Sequence, residues 1–199
     1  DNEQFLKKLE ELNQDDGVDG ILMFRPLPKQ LDEEAATRLL AVEKDIDGNT
    51  QGSLAGIYAN TGDGFAPCTA EAVMAILNYY GIEMAGKKAV VIGRSLVIGR
   101  PVAMLLMHKQ ATVTICHSRS KKIDKISRKA DILVAAAGQM QSIDRNYIKE
   151  GQIVIDVGIH WDEKAQKLCG DVVTNDVEEV VAAVTPVPGG VGAVTTSIL

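Results

Sequence analysis

Gly93 and Gly99 bracket the segment Gly-Arg-Ser-Leu-Val-Ile-Gly, which follows directly on the apolar run Ala89–Ile92. A glycine turn between a buried strand and a helix offers backbone N–H groups to a phosphate, and the helix dipole adds to that attraction. The spacing is not G-x-G-x-x-G: Ser95 stands at the second glycine position and the third glycine comes one residue late. Pro101 falls in the first turn of the helix, where a missing N–H costs little. The plain alternative is a glycine turn in an α/β protein that holds no dinucleotide. The end of the next apolar run is more informative. It reads Cys-His-Ser-Arg-Ser-Lys-Lys from Cys116, with no acid to hold a ribose 2′-hydroxyl. Ser118, Arg119 and the neighbouring Arg94 offer a hydroxyl and two guanidinium forks suited to a 2′-phosphate. The expected cofactor is NADP rather than NAD, bound by Gly93, Arg94, Ser95, Gly99, Ser118 and Arg119. A solvated basic loop accounts for Lys121 and Lys122, but less easily for Arg94 beside Ser118.

A second candidate is Pro-Val-Pro-Gly-Gly-Val-Gly-Ala-Val-Thr-Thr from Pro186 to Thr196, stiff and bare, leading into a helix. Such a stretch exposes backbone N–H groups to a ligand, or simply closes a domain with a tight turn. A third is Asp47 in Glu-Lys-Asp-Ile-Asp-Gly; an isolated Asp-Gly reads first as a turn. Cys68, Cys116 and Cys169, with His108, His117 and His160, show no zinc spacing, so reduced thiols and no metal are expected.

These residues need a scaffold, and the sequence alternates helix and strand. Residues 2–14 form an amphipathic helix with Phe5, Leu6, Leu9 and Leu12 on one face. No residue ahead of it serves as a cap, and both ends of the chain read as cut. Ile21–Phe24 reads as a strand stopped by Pro26 and Pro28. Asp32 is expected to cap a helix through about Val42, residues 43–69 to form a long loop, and Thr69 to cap the next helix. Ala89–Gly93, Thr112–Ser118, Asp131–Gly138 and Gly151–Gly158 contain continuous apolar runs of the kind found in parallel strands buried on both faces. With their crossovers they predict an α/β fold, a Rossmann-like doubly wound parallel sheet over residues 69–199, and a smaller, truncated α/β lobe over 1–68.

The 199 residues carry a net charge of −6 and no basic stripe, which argues against nucleic acid as partner. No apolar run nears the roughly 20 residues that span a bilayer, and no signal peptide is apparent. A cytoplasmic or organelle-matrix location is expected.

The motifs DGILMFRPLP, EKDIDG, PCT, VVIGRSLVIGRP, DILVAAAG, GQIVIDVGI, GDVV and TPVPGGVGAVT occur in the order found in methylenetetrahydrofolate dehydrogenase/cyclohydrolases. From Gly17 onward the chain resembles that family. The resemblance implies NADP-dependent oxidation of 5,10-methylenetetrahydrofolate to the methenyl cation and, in bifunctional members, its hydrolysis to 10-formyltetrahydrofolate. It further implies tetrahydrofolate derivatives as substrates, two lobes with a cleft between them, and a homodimer. Asp47 matches the family's folate-binding aspartate and is carried over as both catalytic and substrate-binding. Pro186, Gly189 and Gly190 would approach folate and nicotinamide, with Ile159 and Thr195 on the cofactor; Ala193 stands where proline is common. Asp156 and Asp171 read as strand-end structure.

Two departures bear on the hydrolysis. Phe24 occupies the place of a glutamine that assists it, and phenylalanine cannot hydrogen-bond water. The family's Y-x-x-x-K segment has no counterpart, since Lys7 and Lys8 sit on an ordinary amphipathic helix; Arg25 is a weak substitute. The expectation is a dehydrogenase with impaired cyclohydrolase activity. The alternatives are a silent NADP- and folate-binding module, or another NADP oxidoreductase such as a shikimate-type dehydrogenase. The latter should share the sheet but not EKDIDG and PVPGGVG.

Overall fold

A computed structural model describes all 199 residues. The backbone separates into two compact units, Asp1–Cys68 (with Leu199) and Thr69–Ile198.

The first unit is helical. Helix α1 (Asn2–Gln14) is capped by Asp1, whose carboxylate accepts from the Gln4 N–H, so the helix does have a cap. Helix α2 (Glu33–Leu39) is capped by Asp32 as expected but ends before Val42, where a short 3-10 turn over Val42–Lys44 takes over. Leu9, Ala36 and Leu40 form the small core of this unit. Two expectations fail here. Ile21–Phe24 is not a strand: Ile21 alone pairs, in a single parallel bridge to Asp45, and the prolines at 26 and 28 follow at once. Nor is 43–69 all loop, because α3 (Gln51–Ala59) lies within it. Its pattern was obscured because its packing side is made of small residues. A Cβ on Gly52 would meet the Val42 side chain at 2.3 Å, and one on Gly56 would meet the Asp63 carbonyl oxygen at 2.0 Å. The helix is held by contacts that leave no hydrophobic period to read.

Helix α4 (Cys68–Tyr79) starts one residue before Thr69, which lies in its first turn rather than capping it. Then come β1 (Lys88–Ile92), α5 (Gly99–His108), β2 (Thr112–Cys116), α6 (Ile123–Ser127), β3 (Ile132–Ala135), β4 (Ile153–Asp156), the hairpin β5–β6 (His160–Asp162, Lys167–Cys169), α7 (Thr174–Val177), β7 (Ala183–Val184) and α8 (Val191–Ile198). The sheet is five-stranded, ordered β2-β1-β3-β4-β7, with every pair parallel. Alternation along β1 and β3 splits the core. Ala89, Val91, Ile132 and Val134 pack with α4, α5 and Val191 on one face. Val90, Ile92, Leu133 and Ala135 pack with Ile143, Val172 and Val177 on the other. Burial on both faces is why β1 and β3 read as unbroken apolar runs, whereas β2, expected to be buried likewise, is the edge strand with Thr112, Thr114 and Ile115 exposed. Two elements were not legible: the two-residue β7, and the antiparallel β5–β6 hairpin, whose Trp161 and Leu168 are exposed.

Candidate functional site: a glycine turn at the sheet's switch point

The strand order reverses between β1 and β3, and a doubly wound sheet binds ligands beside the carboxyl ends of its strands at that point. β1 ends at Ile92 and the chain turns at Gly93, which has φ +137°. A Cβ there would stand 2.1 Å from the Ala136 carbonyl oxygen beyond β3, so the turn excludes every side chain. Gly99 opens α5 against this turn, where a Cβ would meet the Gly93 oxygen at 2.3 Å. Ser95 ties the two together: its Oγ accepts from the N–H groups of Ile98 (3.1 Å) and Gly99 (3.3 Å), and its carbonyl accepts from Arg100 N–H. The residue at the missing glycine's position therefore caps the helix.

Beside this turn lies a cavity of about 300 Å³ bordered by Gly93, Arg94, Ser95, His117 and Ser118, with Ala136 on its far wall. The structure thus brings Arg94 and Ser118, distant in sequence, to one cavity. Arg119 is exposed next to it and does not line it; its backbone N–H donates to His117 Nδ1 at 3.2 Å. His117 and Tyr147, which also line the cavity, were missed because neither sits in a glycine or basic motif. A turn that only glycine fits, a capped helix start and cationic groups suit a dinucleotide phosphate.

A second group forms around the last loop. Ile159, Pro186, Gly189 and Gly190 border a cavity of about 140 Å³. Gly189 has φ +91°, and a Cβ on Gly190 would lie 2.3 Å from the Pro186 oxygen. Ile159 is exposed and stands over α8, with its Cδ1 3.0 Å from where a Gly192 Cβ would be. Thr195 is not part of this group: its hydroxyl donates to the Val191 carbonyl one turn back, and it borders neither cavity.

Two buried aspartates hold the strand-end loops. Asp156, at the end of β4, accepts the N–H groups of Gly158 (3.0 Å), Asp171 (3.0 Å) and Val172 (2.9 Å). Burial pushes its carboxyl above the ordinary value, against those three hydrogen bonds and with help from the Asp171 charge. Asp171 takes the N–H groups of Gly138 and Gln139 behind β3, and His160 Nε2 lies 2.7 Å from its Oδ1. It thereby ties the loop after β3 to the one carrying Ile159. His160 had no distinguishing sequence signal.

Asp47 lies in the first unit, half-buried in the loop 45–50. Asn49 Nδ2 donates to its Oδ2, and Cys68 is close enough that burial, then the Asp47 charge, push its thiol up to about 11. Cys68 is thus protonated near neutral pH and is no nucleophile.

A doubly wound sheet with a glycine turn and an arginine-lined cavity at its switch point defines a dinucleotide-binding enzyme domain. Comparison with known proteins is specific. Residues 67–199 match the tetrahydrofolate dehydrogenase/cyclohydrolase NAD(P)-binding domain, and residues 1–47 match the catalytic domain of the same enzymes. The bifunctional protein FolD of Carboxydothermus hydrogenoformans is 52% identical over 200 residues, spanning 100% of this chain and 70% of that protein. Among solved structures, the bifunctional enzyme FolD of Campylobacter jejuni superposes with a TM-score of 0.96 at 38% identity, over 99% of this chain and 70% of that one. The Trypanosoma brucei methylenetetrahydrofolate dehydrogenase-cyclohydrolase, complexed with NADP cofactor and inhibitor, gives 0.91 at 37% identity, over 100% and 69%. The chain belongs to the tetrahydrofolate dehydrogenase/cyclohydrolase family.

Proposed function

We propose that this protein is an NADP-dependent methylenetetrahydrofolate dehydrogenase, with the 69–199 segment as its cofactor domain and residues 1–68 contributing to the folate side. The observation that carries the reading is the switch-point turn, where Gly93 and Gly99 leave no room for a side chain and Arg94 and Ser118 share one cavity. NADP supplies the hydride acceptor when bound. Gly93, Ser95 and Gly99 shape the phosphate turn, Arg94 and Ser118 favour the 2′-phosphate, and Arg119 adds positive charge beside them. Ile159, Pro186, Gly189 and Gly190 serve the nicotinamide and folate through backbone atoms, while Thr195, bonded within α8, is left out of the cofactor contacts. Asp47 accepts hydrogen bonds from the pterin's amino group and ring N–H. Hydride loss from the methylene bridge is driven by the substrate's own nitrogens, so the protein's main task is to hold two ligands in register.

The hydrolytic half needs more, because a water must be activated and a proton accepted. Phe24 stands fully hydrophobic at 82% exposure where such a side chain is expected. Arg25 does not replace it: its guanidinium is turned to Glu33 (3.8 Å), whose other oxygen accepts the Leu27 N–H. The reading is therefore a dehydrogenase with impaired cyclohydrolase activity, although its relatives are named bifunctional. A homodimer in the cytoplasm completes the proposal. Its support is the β5–β6 hairpin, which presents Trp161 and Leu168 to solvent on the cofactor domain.

The test supplies methylenetetrahydrofolate with NADP or NAD and follows reduced nicotinamide and methenyltetrahydrofolate separately. Both rising together with NADP, and the methenyl product persisting to its spontaneous hydrolysis, is the expected result. Full cyclohydrolase turnover would overturn the role given to Phe24, and no signal with either cofactor would overturn the dehydrogenase.

A further inference from the structure

We infer that Asn49 is a positioning residue for folate binding, acting through Asp47; this rests on the reading of Asp47 as the pterin-binding carboxylate. Asn49 is engaged at both ends. Its backbone N–H donates to Asp45 Oδ1 (3.1 Å), and its side-chain Nδ2 donates to Asp47 Oδ2 at 2.5 Å. Asp45 is a firm anchor: it is 1% exposed, and its Oδ2 also accepts the Thr50 N–H and the Ser53 hydroxyl, each at 2.7 Å. Between the two partners sits Gly48, at φ +64°, packed so closely that a Cβ would lie 2.4 Å from the Phe65 carbonyl oxygen. The loop backbone is therefore fixed independently of Asp47.

The direction of the Asp47 carboxylate is a separate matter. On its far side Cys68, whose Sγ donates to the Ile46 carbonyl at 3.3 Å, offers the Asp47 carboxylate only a weak, neutral thiol donor, a far weaker partner than an amide N–H. That leaves the Asn49 amide as the group that sets the rotamer. With Oδ2 held, Oδ1 and one lone pair of Oδ2 stay open for a ligand that presents two adjacent N–H groups, the pattern of an aminopterin edge. A carboxylate held in advance does not have to be ordered on binding, so the bond lowers the substrate's KM rather than accelerating the chemical step.

The experiment is a double-mutant cycle in the enzyme: Asn49→Ala, Asp47→Ala and the pair, each assayed for KM of methylenetetrahydrofolate, KM of NADP and kcat. Asn49→Ala is expected to raise the folate KM about tenfold, with the NADP KM unchanged and kcat within about threefold. In the Asp47→Ala background the Asn49 substitution should add nothing. Asn49→Asp, which keeps the shape and the backbone bond to Asp45 but replaces the donor with a like charge, should raise the folate KM further. It also serves as the test if the alanine variant does not fold. An unchanged folate KM in Asn49→Ala and Asn49→Asp, with Asp47→Ala impaired, overturns the positioning role and leaves Asp47 in place. Additive effects overturn it as well, since Asn49 would then act on its own. A normal folate KM in Asp47→Ala overturns the reading of Asp47 itself.

Discussion

Asp156 shows how one carboxylate can organise a loop cluster through backbone N–H groups alone. Its two oxygens divide three backbone N–H groups, from Gly158 and Asp171 on Oδ1 and from Val172 on Oδ2. Gly170 is required beside it, since a Cβ there would lie 1.9 Å from Oδ2. An asparagine can keep only one of these acceptor sites, and its NH2 must then face another N–H. Asp156→Asn is expected to cost about 1–3 kcal/mol, read as a lowered melting temperature with NADP affinity reduced only secondarily. The pH dependence has a definite sign. Burial raises the folded-state pKa above the usual 3.8, so the folded chain binds the proton more tightly than the unfolded chain. In the window just above 3.8, the Asp156 contribution to stability falls as pH rises, and Asp156→Asn should remove that slope. Melting curves across the acidic range check both parts. At this scale the sequence was readable where residue type implied chemistry, as for Arg94 and Ser118. It was silent for Asn49, His117 and His160, whose roles depend on which loop folds against them.

At the scale of elements, the glycine turn makes the sharpest demand. Gly93 has a backbone conformation and a 2.1 Å approach that no other residue tolerates. Gly93→Ala should force β1 and the loop after β3 apart. The expected result is at least a tenfold rise in NADP KM, with a loss of stability of about 1–3 kcal/mol. Parallel kinetics against NADP and folate, with a thermal melt, decide it; a variant with unchanged NADP KM removes the turn from the cofactor site. The same scale explains what could be read in advance. Strands β1, β3 and β4 announced themselves because both faces are buried, β2 by its β-branched residues although it is an exposed edge strand, and α1, α2 and α5 because each has an apolar side. Helix α3 hid behind Gly52 and Gly56, where close backbone approach replaces a hydrophobic stripe. Ile21–Phe24 looked like a strand on composition alone, but a strand is defined by pairing, and only Ile21 pairs, in a single bridge to Asp45.

For the whole molecule, the two compact units differ in how they are held. Residues 69–198 have two large cores, one on each face of a parallel sheet, whereas residues 1–68 gather around Leu9, Ala36 and Leu40. Hydrogen exchange should therefore find the deepest protection in β1, β3 and β4, with α1 and α2 opening at lower free energy. Adding NADP should slow exchange at 93–99 and 117–120 first. Protection by NADP confined to other segments would contradict the site assigned to it.

The β5–β6 hairpin has one more consequence. Trp161 is the chain's single tryptophan, it is 55% exposed, and it lies two residues beyond Ile159. Every photon of indole emission from a sample thus originates at one known point, near the loop assigned to the nicotinamide. Reduced nicotinamide absorbs where indole emits, so bound NADPH should quench this light by energy transfer while NADP leaves most of it. The fold carries its own optical gauge of the cofactor's redox state, and no label has to be attached to read it.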